Sequence, residues 1–135
     1  MADKVASHYS ENLELADVIA QSLRSAGKIF DKLTTTELAT VDEFHIRGRK
    51  ATLELAAQMN LNTRSHVLDI GSGLGGPART VAEGCGCRVT GIDLTQAFCD
   101  AANTMSIGSR WANACHSSKE TPRTYCSMTS NLMRR

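Results

Sequence analysis

Helical and strand-like periods succeed one another along this chain up to about residue 105 and then stop. From Glu11 to Ala26 the apolar positions Leu15, Ala16, Ile19, Ala20, Leu23 and Ala26 recur every three or four residues. That spacing predicts a helix with Ser10 as its N-cap and Gly27 as its stop. Residues 1–9 are polar and are expected to fray. Thr34-Thr-Thr-Glu37 is a capping box, and Leu33 and Leu38 stand at the positions of a hydrophobic staple, so a second, short helix is expected there. The mixed stretch Val41-Asp-Glu-Phe-His-Ile-Arg-Gly48 reads as a loop. From Arg49 to about Met59 the residues Ala51, Thr52, Leu55, Ala56 and Met59 share one helical face, closed by Asn60 and Asn62.

His66 to Ile70 is a short apolar strand that runs into the glycine-dense turn Gly71-Ser-Gly-Leu-Gly-Gly76. Gly76 is the expected cap of the next helix, with Pro77 in its first position, where a missing N–H does no harm. Ala78, Val81, Ala82 and Cys85 form its inner face, and Gly84 or Gly86 ends it. Cys87 to Asp93 predicts a second strand. Thr95 caps a further helix with Phe98, Ala101, Ala102 and Met105 inward. Beyond Met105 the branched aliphatic residues are only Ile107 and Leu132, against nine Ser/Thr in residues 106–135. No period survives there and no further strand is predicted; such a segment buries too little to offset its ordering entropy. The organisation expected is a helical cap (1–65), a strand–helix–strand unit with a following helix (66–105), and a disordered tail (106–135). The change at about Ser106 reads as a truncation or a shift of reading frame. Two strands alone would leave both sheet edges unpaired and the chain marginally stable.

Composition adds limits. The 135 residues fit one ordinary domain, and the net charge is +1. Residues 1–105 carry ten Lys/Arg against thirteen Asp/Glu, and residues 106–135 carry five against one. The basic residues of the tail are scattered, so they make no phosphate footprint, and no nucleic-acid partner is expected. The chain opens on no basic-then-apolar leader and holds no apolar span of ~20 residues, so a cytosolic protein is expected. The cysteines at 85, 87, 99, 115 and 126 lack zinc-ribbon spacing and read as thiols rather than metal ligands.

A strand that passes through glycines into a helix start leaves backbone N–H groups beside open space, which makes it a ligand site. Gly71-x-Gly73-x-x-Gly76, with Asp93 about 20 residues on, satisfies the dinucleotide fingerprint without being specific to it. Asp69, two positions before the first glycine, discriminates. A fixed carboxylate repels a pyrophosphate and attracts an ammonium or sulfonium. At ~4 Å and an effective dielectric of ~20, the difference is about 4 kcal/mol in either direction. The alternative for Asp69 is a carboxylate that only caps the turn.

Val67-Leu-Asp-Ile-Gly-Ser-Gly-Leu-Gly-Gly76 together with Val89-Thr-Gly-Ile-Asp-Leu94 resembles class I S-adenosylmethionine-dependent methyltransferases. The nearest resemblance is to the ubiquinone/menaquinone-biosynthesis and sarcosine/dimethylglycine-type enzymes. Asp42-Glu-Phe-His-Ile-Arg-Gly48 is similar to the lead-in of the same group, and the likeness spans roughly residues 8–105. The resemblance implies an α/β, Rossmann-like fold, here incomplete, with cap helices in front. It implies S-adenosylmethionine as cofactor and a small-molecule methyl acceptor as partner. Carried over by position, Asp69 would meet the methionine amino group, and Gly71, Ser72 and Gly73 would let the backbone approach. Asp93 would take the ribose hydroxyls. Leu94 would pack on the adenine, or else belong to the core. Tyr9 and His45 would close over donor and acceptor, with His45 the candidate base. The family continues with further strands that this sequence does not match. Two other functions stay open: a module that binds the nucleotide ligand without turnover, and a nicotinamide-dependent oxidoreductase, which Asp69 disfavours. An exposed sheet edge would also allow a homo-oligomer.

Overall fold

The computed structural model describes residues 15–29, 32–106 and 115–119, the last five by their backbone. The first described helix, α1 (Leu15–Ser25), ends at Gly27, whose φ of +75° closes the turn. Gly27 N–H donates to Arg24 O and Lys28 N–H to Leu23 O, the paired bonds of a Schellman stop. Helix α2 (Thr35–Asp42) starts at the expected capping box: Thr34 accepts from the Glu37 N–H, and the Glu37 side chain accepts from the Thr34 N–H. Leu33 and Leu38 are both buried, so the staple forms. One expectation is corrected here. Val41 and Asp42 are the last turn of α2 rather than loop, because Asp42 is drawn into the core by a buried partner described below.

Helix α3 (Gly48–Gln58) follows a tight bend in which Arg47 takes φ +70°. Only Thr52 and Ala56 of its predicted inner face are buried; Leu55 and Met59 stay exposed. Strand β1 (His66–Ile70) leads through the glycine turn into α4 (Gly76–Cys85). The cap falls one residue earlier than expected: Gly75 is the N-cap at φ +78°, and Gly76 is already helical. Gly86 at φ +64° ends the helix. Strand β2 (Arg88–Asp93) pairs parallel to β1, with Val67 opposite Val89 and Asp69 opposite Gly91. Helix α5 (Gln96–Ser106) follows directly.

The second correction lies in the tail. Cys115–Lys119 forms a third strand, β3, parallel to β2 in the register Val89 to Cys115 and Asp93 to Lys119. The sheet order is β1-β2-β3, so β2 is central and β1 lies at an edge of the described sheet. The segment was unreadable because a short strand covered by a neighbouring helix needs no apolar alternation of its own; α5 packs along β3 and supplies the contact. Tyr9 and the remaining tail lie outside the described residues. Parallel strands alternating with helices make this an α/β, Rossmann-like arrangement.

Two apolar clusters hold it together. Ala16, Leu23, Leu38, Leu74, Ala101 and Met105 join α1, α2, the glycine turn and α5. Ala78, Ala82, Cys87 and Val89 join α4 to the sheet, with Val67 and Val81 packed against them. Between them lies a buried polar knot. Arg79 of α4 is 1% exposed and donates to Asp42 Oδ2 at 2.7 Å, to Leu74 O at 2.6 Å and to Ala102 O at 3.2 Å. Burial pushes the Asp42 carboxyl above its usual range, and the Arg79 guanidinium works against that rise. Among the described residues no helix is long and apolar enough to cross a membrane.

Candidate functional site

The glycine turn is folded back over the end of β2. The N–H groups of Gly71 and Ser72 both donate to Ile92 O, at 2.8 and 3.1 Å, and Gly73 N–H donates to Asp93 Oδ2 at 2.9 Å. Gly71 and Gly73 take φ of +77° and +52°, conformations that favour glycine. A Cβ on either would meet nothing within 4 Å. These two glycines therefore border open space. Gly76 differs: a Cβ there would lie 2.5 Å from Asp42 O and 2.7 Å from Glu43 Cγ. It is glycine so that α4 can abut the end of α2.

Asp69 leaves the carboxyl end of β1 directly before this turn. Its Oδ2 is buried without a hydrogen-bond partner, and so is Ser72 Oγ. Burial raises the Asp69 carboxyl above its usual range; the nearby Asp93 carboxylate adds to the rise, and His45 opposes it. An acceptor in this state gains from a donor that carries positive charge. Asp93 has both oxygens engaged, Oδ2 with Gly73 N–H and Oδ1 with Thr95 N–H, so it pins the turn to the start of α5. Each oxygen keeps a second lone pair. Leu94 is 68% exposed and is therefore not core.

Gly71 borders two hollows. The larger, about 400 Å3, lies between α3, β1 and the start of α4 and is bordered by His45, Leu55, Met59, Asp69 and Pro77. The smaller, about 310 Å3, is bordered by Ile70, Ile92, Asp93, Leu94 and Thr95. Asp69 and His45 thus face one compartment, and Asp93 and Leu94 the other.

His45 is held by a chain of side chains that the sequence did not reveal. Its Nε2 lies 3.2 Å from Thr52 Oγ1 and 4.0 Å from Glu43 Oε2. Thr52 Oγ1 donates to Glu43 Oε2 at 2.7 Å, and Thr80 Oγ1 donates to Glu43 Oε1 at 2.7 Å. The Glu43 side chain is fully buried. Arg49 donates to Thr80 Oγ1 at 2.7 Å and lies 3.7 Å from Glu83, to which Thr35 also donates. The signal available in sequence was Asp42-Glu43 beside His45. Two adjacent acids read as solvated until α4 is known to pack on α2 and α3 as well as on the sheet. That sandwich buries Arg79 and Thr80 on what looked like the outer face of α4. Among the described residues no group of three or more His, Cys, Asp or Glu is placed to hold a metal ion.

No protein-family model matches the chain. Over 61 residues it is 39% identical to the phosphoethanolamine N-methyltransferase of Plasmodium falciparum, covering 45% of this chain and 23% of that one. Over 39 residues it is 46% identical to the sterol 24-C-methyltransferase erg6 of Schizosaccharomyces pombe, covering 29% and 10%. Among solved structures it is similar to a SAM-dependent methyltransferase from Thiobacillus denitrificans in complex with S-adenosyl-L-homocysteine, at 31% identity and a TM-score of 0.48, covering 53% of this chain and 29% of that one. The chain spans less than a quarter of the curated relatives it matches. Within that part it is similar to class I S-adenosylmethionine-dependent methyltransferases.

Proposed function

We propose that this chain forms the donor-binding part of an S-adenosylmethionine-dependent methyltransferase that acts on a small-molecule acceptor. The observation that carries the reading is the buried, unpartnered Oδ2 of Asp69 beside two glycines that border open space. A cationic amino group is the partner that Asp69 lacks, and Ser72 Oγ is a second unused polar atom beside it. Two hollows that both border Gly71 suit a ligand whose amino acid and nucleoside ends need different surroundings. Asp69, Ser72 and the turn would hold the first end. Asp93 would keep its remaining lone pairs for the ribose hydroxyls, and exposed Leu94 would cover the adenine. S-adenosylmethionine supplies a methyl group on a sulfonium, so the protein's task is placement and exclusion of water, which is worth several kcal/mol. His45, on the larger hollow, would take a proton from an acceptor that has one to lose.

The local identity to two methyltransferases, acting by their names on phosphoethanolamine and a sterol, supports an acceptor that is a small molecule. A net charge of +1 with scattered basic residues argues against nucleic acid. Cys85, Cys87 and Cys99 are free thiols, which supports a reducing, cytoplasmic setting. A second reading is binding without turnover; exposed Leu55 and Met59 on the larger hollow favour it, since water reaches that compartment.

Calorimetric titration of the 135-residue chain separates both readings from a nicotinamide-dependent one. S-adenosylhomocysteine is expected to bind saturably and NADH not to bind. Asp69→Asn should weaken binding roughly 10- to 100-fold, the loss of a charge-assisted hydrogen bond of about 1.5–3 kcal/mol. Binding of NADH, or equal affinity for S-adenosylhomocysteine in the variant, would overturn the reading. Release of labelled methyl to an acceptor then separates an enzyme from a binding module.

A further inference from the structure

We infer that Glu43 and Thr52 are positioning residues that fix the tautomer of His45 and make Nδ1 its proton-exchanging atom. A threonine hydroxyl has one hydrogen and two lone pairs. Thr52 sends that hydrogen to Glu43 Oε2, a carboxylate oxygen that can only accept, at 2.7 Å. What Thr52 Oγ1 offers to His45 is therefore a lone pair, and at 3.2 Å Nε2 must be the donor. Glu43 cannot turn away, because its other oxygen takes the Thr80 hydroxyl and its side chain is wholly buried. Thr52 is itself 6% exposed, on the inward face of α3. With Nε2 protonated in the neutral ring as well as in the charged one, the lone pair of neutral His45 sits on Nδ1.

The ring is 40% exposed and borders the larger hollow, so Nδ1 belongs to the part of the imidazole left for a ligand. The charged groups that face it come from two elements: Glu43 from the bend, and Asp69 from β1, which borders the same hollow. The use of this device in catalysis rests on the methyltransferase reading; the tautomer does not. In the reaction the bond between the acceptor heteroatom and its hydrogen breaks, and an Nδ1–H bond forms. The electron pair stays on the acceptor, and the resulting imidazolium has its other N–H already bonded to Thr52. Glu43, 4.0 Å from Nε2, offsets its charge.

Long-range nitrogen–proton NMR of the histidine rings in the full chain reads this directly, with the His45 signals identified by their loss in His45→Gln. At about pH 9 the wild-type protein should show His45 in the Nε2–H form. Thr52→Val keeps the shape but removes the hydroxyl and should give a mixture or the Nδ1–H form, whereas Thr52→Ser should restore the wild-type pattern. In turnover, Thr52→Val should lose roughly 10-fold or more of the rate with S-adenosylhomocysteine affinity unchanged, again rescued by serine. An Nδ1–H tautomer in the wild-type chain sinks the proposal without any variant having to fold. An unchanged tautomer in a folded Thr52→Val protein does the same. Failure to bind S-adenosylhomocysteine would instead count against the methyltransferase reading and leave the tautomer standing.

Discussion

Asp69 is subject to two opposed demands. In the free protein its buried oxygen has no partner, and burial with the Asp93 carboxylate raises its proton affinity. Removing the charge is therefore expected to stabilise the fold while it weakens the proposed ligand site. Asp69→Asn should raise the free energy of unfolding at neutral pH by about 1 kcal/mol, the scale of an unsatisfied buried polar atom. The sign with pH follows from the raised carboxyl. The native state binds the extra proton, so the stability contribution of Asp69 is present at low pH and lost as pH rises through its folded titration. The advantage of the asparagine variant should accordingly shrink on acidification, which chemical denaturation at several pH values measures. Glu37 behaves oppositely. The hydrogen bond from Lys28, with those from Thr34, holds it down to about 2, so its contribution is present above the unfolded value near 4.3 and fades as pH falls toward 2.

Among the elements, α4 offers a comparison within one helix. Gly76 and Gly84 are both helical glycines, yet a Cβ on Gly76 would strike Asp42 O at 2.5 Å, and one on Gly84 would meet nothing within 4 Å. Gly76→Ala should cost about 1–3 kcal/mol through overpacking. Gly84→Ala should gain about 0.5–1 kcal/mol through helix propensity. Urea midpoints of the two variants check both signs, and a loss in both would show that the α2–α4 approach is not what selects glycine. The helices themselves were legible in sequence where chemistry marks their ends: the capping box at Thr34, Gly27, Asn60 and Gly86 stand where chain direction changes. What could not be read was the second face of α4. The apolar set Ala78, Val81 and Ala82 shows one buried side, whereas Arg79 and Thr80 look like solvent residues until α2 and α3 are placed over them.

For the whole molecule, the third strand changes the balance of the sheet. β2 has neighbours on both sides, so the central pair of the site, Gly71 on Ile92 and Gly73 on Asp93, is anchored to the best supported strand. A chain ending at Ser106 loses that neighbour and is expected to unfold at lower urea with a smaller dependence on denaturant. A midpoint equal to that of the full chain would mean that β3 contributes nothing to stability. The candidate site could be proposed from sequence because its residues are local: Asp69, Gly71, Gly73, Gly76 and Asp93 at the next strand end are all within 25 residues. The tail strand was not, since parallel pairing is settled by the neighbouring strand and helix rather than by its own residues.

Arg79 has a kinetic consequence. Its guanidinium bonds Asp42, the carbonyl of Leu74 and the carbonyl of Ala102, three stretches far apart in sequence. Loosening any one of them exposes a buried cation, so the three tend to open together or not at all. The glycine turn is therefore expected to open with the core rather than as a surface loop, which hydrogen exchange of its N–H groups would measure. A ligand bound at the proposed site would then meet a cradle already ordered, and little of its binding free energy would be spent in ordering it.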